Sequence, residues 1–160
     1  SMITSDLRVN AVYVPNDYHV SFLGLDADDG YMEPIIVSYN SNVEIPVNSY
    51  SRRGYHFIGW KTNPDDEYPE YLDQDSFVLK EEGLVLHAAW LPIIYSIEYE
   101  LDGGYAVNPN QYTIEDTIVL QDAEKEDHKF LGWFIKEIIE DEPEVSPFMM
   151  MLFSTEEPEM

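Results

Sequence analysis

Four histidines and thirty-two carboxylates are the groups in this 160-residue chain with the most obvious capacity for chemistry. Their spacing gives them little to do. His19, His56, His87 and His128 stand in separate segments, without the short spacings that place two imidazoles on one metal. Carboxylate pairs are so abundant that the separations a glycosidase needs arise by chance, which empties them of meaning. The chain has no Cys, so thiolate metal sites, thiol catalysis and disulfides are excluded. No Gly-rich phosphate loop, nucleophile elbow or paired-histidine helix motif occurs. Two stretches ask for more. The turn "DADDG" offers Asp26, Asp28 and Asp29, hard oxygen ligands suited to Ca²⁺. It is one residue short of the Asp-x-Asp-x-Asp-Gly register and lacks the glutamate that should follow, so its plain reading is a solvated hairpin tip and no cofactor is expected. The stretch "DDEYPEYLDQD" sets Tyr68 and Tyr71 among carboxylates, with Pro69 stiffening the loop between them. Loop aromatics are common binding anchors, which makes the two tyrosines candidate ligand contacts; the plainer reading is that both fold back over a sheet.

The elements that must carry these residues are bounded by composition. Apolar residues make up 44% of the chain and aromatics 14%, enough for the core of one ordinary domain or two small ones. Eight Lys and Arg against thirty-two Asp and Glu leave a formal charge of −24, a surface that repels nucleic-acid phosphates and anionic membranes. No apolar run approaches the roughly 20 residues a membrane helix needs, so direct membrane insertion is not expected. Ser1-Met2 has the look of a tag-cleavage remnant, and the residues after it lack the pattern of a signal peptide.

Repetition is the strongest signal. "GYHFIGW" at 54 to 60 returns as "DHKFLGW" at 127 to 133, "YHVSF" at 18 to 22 as "YSIEY" at 95 to 99, and "LGLDADDGYMEP" shortens to "ELDGGYAVNP". The run "ITSDLRVNAVY" at 3 to 13 matches "VLKEEGLVLHAAW" at 78 to 90, where alternating apolar residues end in an aromatic just before Pro. The histidines do not recur at matching positions. Within each copy the pattern is that of strands: Tyr18, Val20 and Phe22 alternate with His19 and Ser21, Tyr95, Ile97 and Tyr99 with Ser96 and Glu98, and Leu84 and Leu86 with Val85 and His87. Gly- and Asn-rich joints separate them. The best helix signal is "FIKEIIED" at 134 to 141, equally readable as a strand entering an acidic loop. "EVSPFMMMLF" stands where the second copy needs its last strand, with Phe153 in the place of Trp90. This predicts a preceding repeat's last strand within 1–14, a complete repeat over 15–92, and a divergent repeat with an acidic tail over 93–160.

Laid out in this way, "VSYNSNVEIPV", "SRRGYHFIGW", "LVLHAAW" and "YSIEYELDGGYAVNPNQYTIEDTIVLQDAEKEDHKFLGWF" resemble the Listeria/Bacteroides repeat family, the class that includes the internalin B-repeat. The resemblance implies an α+β, mostly β fold of tandem, small, β-grasp-like units with little helix. It implies a non-enzymatic, extracellular repeat module of a bacterial surface protein, a spacer or adhesion element whose partner is a host or neighbouring surface protein or a glycan. It does not extend to the insertion "KTNPDDEYPEYLDQDS" or to the residues after Phe134. Two other functions fit the sequence: a dedicated ligand-binding domain gripping a partner with inserted loops, and an acidic mimic of nucleic acid, although the acids lack the regular spacing of phosphates. The repeated Phe-x-Gly-Trp then reads as structural. Phe57 and Trp60, and Phe130 and Trp133, are three apart and fall on opposite faces of a regular strand unless a bulge at Gly59 and Gly132 restores them to one face.

Overall fold

The computed structural model describes residues 2–139. The expected last strand at 144–153, with Phe153, lies outside the described residues. Within them the protein is mostly β and holds no helix; the residues 134 to 139 of the helix-like stretch are neither helix nor strand.

Eight strands form: β1 (Asp17–Leu23), β2 (Ile35–Ser38), β3 (Asn42–Glu44), β4 (Tyr55–Lys61), β5 (Ser76–Val78), β6 (Leu84–Pro92), β7 (Tyr95–Ser96) and β8 (Gln111–Tyr112). Four make a mixed sheet in the order β2-β1-β6-β4, with β1 and β6 parallel at its centre and antiparallel strands at both edges. β3 and β5 form a small second sheet. β6 is the longest strand, and its Leu86, Ala88 and Ala89 are buried because it lies between two neighbours.

The first core gathers Val20 and Phe22 from β1, Leu86 and Ala88 from β6, Val43 from β3, and Ile45 and Leu79 from the adjoining loops around the fully buried Trp60. The indole meets Phe22, Tyr50 and Phe57 edge to face at centroid distances of 5.4, 6.4 and 5.0 Å. Ala88 is its partner across the β4–β6 pair, a small side chain where the ring needs room. The register of that pair slips between Phe57 and Gly59, and Gly59 stands at φ +139, a conformation side chains resist. The bulge puts Phe57 and Trp60 on one face despite their odd spacing.

The second repeat follows the same register over what is described. Tyr95 pairs with Tyr112 and Ser96 with Gln111, as Tyr18 pairs with Val37 and His19 with Ile36. Tyr112, Ile118 and Leu120 stand in the places of Val37, Val43 and Ile45 and form a second core, against which Tyr95, Ile97, Tyr99, Trp133 and Ile135 pack. Gly132 has φ +142, and Phe130 meets Trp133 at 5.2 Å and 64°, against 5.0 Å and 66° in the first copy. Trp133 is half-buried where Trp60 is sealed.

The strand expected at Ile3–Tyr13 does not form. Residues 2 to 16 belong to no strand, and Leu7, Val9 and Tyr13 are 65, 85 and 87% exposed. Alternation supplies a strand with a face to bury but not with hydrogen-bonding partners, and no sheet among the described residues offers it any.

Candidate functional site

Three places carry the side chains on which a function could rest: the inserted loop, the acidic turn, and the joint between the repeats. The insertion after β4 runs back across the sheet, where Trp60 N–H donates to the Tyr71 carbonyl (2.7 Å) and Tyr71 N–H to the Trp60 carbonyl (3.1 Å). Tyr71 stacks on Phe77 at 4.6 Å and 20°, and burial pushes its hydroxyl up from the ordinary tyrosine value. The two tyrosines singled out together thus part company. Tyr71 is half-buried against the core, while Tyr68 stands 71% exposed at the loop's outer edge. Pro69 and the Tyr71 carbonyl also close over Gly59, leaving no room there for a Cβ.

In the acidic turn, Asp29 accepts from the N–H of Gly30, and Asp28 from that of Arg53. Asp28, Asp29 and Ser51 are further tied through their backbones. Asp26 has φ +65 and is exposed. Among the described residues no group of three or more His, Asp or Glu side chains is placed to hold a metal ion. The carboxylates of Asp28 and Asp29 serve backbone N–H groups.

The joint was not legible in the sequence. Gly54 (φ +80) is buried beneath Ile114, and a Cβ on it would stand 2.7 Å from the Ile114 Cδ1. Ile93 N–H donates to the Gly54 carbonyl (2.8 Å), and Tyr55 donates through its hydroxyl to Glu115 (2.9 Å). Burial, followed by the hydrogen bond to Glu115, pushes the Tyr55 hydroxyl up. The Arg52 guanidinium lies 3.6 Å over the Tyr55 ring. Asp26, Asp28, Arg52, Arg53, Tyr55 and Glu115 surround a shallow open hollow beside this joint. Both acidic and basic side chains line it, and none of the lining residues is a nucleophile set beside a base. The only trace in the sequence was a Gly in one copy where the other has Asp127, which also adopts positive φ, at 60°.

A second feature has no signal of its own in the sequence, because residues common to both copies include those that both need to fold. Tyr31 and Tyr105 both follow the Gly of the turn after the first strand of their repeat, and they are 69 and 67% exposed. Neither ring is needed by a core. Of the histidines, His87 is half-buried and its Nδ1 makes no hydrogen bond.

Two register-matched copies of one strand pair, and two Phe-x-Gly-Trp segments with the same glycine φ and the same ring contact, define a tandem-repeat β protein. The family model of the Listeria-Bacteroides repeat domain matches residues 18–88 and 95–144, and the chain belongs to that family. Two proteins of Evansella cellulosilytica are similar to it. One, named "Putative Gly-rich membrane protein", is 33% identical over 143 residues, 86% of this chain and 16% of the relative. The other, named "Putative membrane protein", is 30% identical over 138 residues, 85% of this chain and 20% of the relative. The chain therefore spans a fifth or less of the relatives it matches. No solved structure matches it.

Proposed function

We propose that this chain is a non-enzymatic repeat module from the extracellular part of a bacterial surface protein, spacing and presenting contact residues along an array. The observation that carries this is repetition in register: the same strand pairing and the same positive-φ glycine before Trp recur in both copies, while among the described residues no acid–base or nucleophilic constellation does. Successive units over 15–92 and 93–160, of β-grasp type, fit the parallel central pair β1–β6 and the tight Gly54–Ile114 joint. The membrane-protein names of the relatives support an anchored parent. No helix among the described residues is long and apolar enough to cross a membrane, which suits a part displayed outside the bilayer.

Adhesion would fall to exposed aromatic side chains. Tyr31 and Tyr105 recur once per repeat and would meet a partner that is itself repeated, such as a glycan or a host surface protein, with the avidity that linked sites give. Tyr68 would add a contact that only the first copy makes. The test is binding of the chain to cell surfaces and glycan panels, beside Tyr31→Ala/Tyr105→Ala and Tyr68→Ala. Loss of binding in either variant with an unchanged melting temperature supports the adhesive role. Absence of binding by the parent leaves the spacer alone, and turnover of any substrate overturns the class.

A further inference from the structure

The hollow beside the joint holds charges of both signs that do not use one another. Among the described residues the ion pairs are Lys125–Asp102 and Lys136–Glu100, so in a chain with eight cationic side chains and a charge of −24 neither Arg52 nor Arg53 makes one. The Arg52 guanidinium lies over the Tyr55 ring, a contact that takes its face and none of its N–H groups. Arg53 is engaged through its backbone N–H, at the Asp28 Oδ2. Glu115 gives Oε2 to the Tyr55 hydroxyl and keeps Oε1, and Asp28 keeps Oδ1. The second copy is arranged otherwise. There Lys125 stands in the place of Arg52 and is tied to Asp102 at 3.6 Å, with Glu126 in the place of Arg53 and His128 in that of Tyr55.

We propose that this hollow binds a neutral saccharide, held between Arg52 and Arg53 of the first repeat and Glu115 of the second, with Asp26 and Asp28 accepting from its hydroxyls. The mixture of charges selects the ligand. A simple anion would meet Asp26, Asp28 and Glu115, and a simple cation would meet the two guanidiniums. A metal ion lacks its ligand set among the described residues. A sugar hydroxyl suits both signs at once, because it donates to a carboxylate oxygen and accepts from a guanidinium N–H, and hydrogen bonds to ionised groups are the stronger kind. Ile114 and the Tyr55 ring add apolar surface for the C–H face of a sugar ring. The space is about 420 Å³, inside the ~300–1,000 Å³ range of small-ligand clefts. Its walls are set before any ligand arrives: Asp28 and Asp29 N–H groups donate to the Ser51 carbonyl, and Ile93 N–H to the Gly54 carbonyl. Because the sugar touches both repeats, its binding also stiffens the joint. None of Tyr31, Tyr68 and Tyr105 lines the hollow, so the site does not rest on the adhesive role given to them.

The experiment titrates the full chain with glucose, galactose, mannose, N-acetylglucosamine and cellobiose, and with sulfate as an anion control, while amide NMR spectra are recorded. At least one sugar should shift the amides of Arg52, Arg53, Ile114 and Glu115 saturably, and should slow hydrogen exchange at Ile93. Arg53→Ser should weaken that binding about tenfold or more, as expected for the loss of a charge-assisted hydrogen bond. Its melting temperature should be unchanged, because the Arg53 side chain is exposed and packs in neither core. Tyr31→Ala/Tyr105→Ala should bind the sugar as the parent does. No shift of those amides by any sugar of the panel, sulfate binding there where no sugar does, an Arg53→Ser variant that binds as the parent does, loss of binding in the tyrosine variant, or exchange at Ile93 that the sugar leaves unchanged would each overturn the proposal, whatever the cell-surface assay shows.

Discussion

Gly59→Ala tests why the signature contains a glycine. Gly59 holds φ +139, and a Cβ there would run into the Tyr71 carbonyl and the Pro69 ring, 2.8 Å from the Pro69 Cβ. Holding an alanine in that conformation costs about 1–3 kcal/mol by itself. Making room means lifting the inserted loop, which surrenders the two hydrogen bonds between Trp60 and Tyr71, each worth about 1 kcal/mol. The other escape is to iron out the bulge. A one-residue slip would then turn Trp60, now fully buried, to the opposite face, at about 3–5 kcal/mol for the emptied site. By either route the variant loses about 3–5 kcal/mol. Urea unfolding followed by tryptophan fluorescence and by circular dichroism measures it, and hydrogen exchange at the Trp60 amide distinguishes a lifted loop from a flattened bulge. A loss below about 1 kcal/mol, with the Trp60 amide still protected, would show that the bulge does not depend on glycine and would sink the structural account of the repeated motif.

Trp60→Ala should cost about 3–5 kcal/mol and Trp133→Ala about half that, because the first indole is sealed and the second half open; equal losses in denaturant titrations would contradict the difference in burial. Gly54→Ala should cost about 2–4 kcal/mol from positive φ and the press of Ile114, and part of that loss should vanish in an Ile114→Ala background, giving a coupling of about 1 kcal/mol in a double-mutant cycle. Purely additive losses would remove Ile114 from the joint. Tyr112 is buried with its hydroxyl unpartnered, and burial, then the nearby Tyr95, pushes it up to about 12 from an ordinary value of 10.0. Its neutral form is the one the fold favours, so its contribution is full below pH 10 and is lost as pH rises through about 12. Tyr112→Phe should therefore shed on the order of 2 kcal/mol of the alkaline loss of stability, measured as melting temperature against pH; a profile parallel to that of the parent would refute the assignment.

The strands were legible because their information is local. Period-two alternation in "YHVSF", "LVLHAAW" and "YSIEY" marked β1, β6 and β7, and the three-residue spacing of Phe57 and Trp60 already required a break at Gly59. The repeat itself was legible for the same reason: two copies that fold alike must spend the same side chains on the same contacts. What alternation cannot say is whether a face will find a cover. Leu84 is met by Val20 and Trp60 by Ala88, partners far apart in the chain, so burial at each depends on strands that the local pattern does not specify. Ile3–Tyr13 and β6 share one pattern, yet only β6 is a strand, because only β6 has neighbours to receive its hydrogen bonds. Tyr68 and Tyr71 share one loop and one acidic setting, and only the path of that loop across Gly59 sends one into solvent and the other onto Phe77. Gly54 was one glycine among eight until the fold brought Ile114 down upon it. Local periodicity fixes which side of a strand is apolar; the tertiary structure decides which apolar sides are covered, since a cover is made by residues whose distance along the chain carries no trace in the sequence around them.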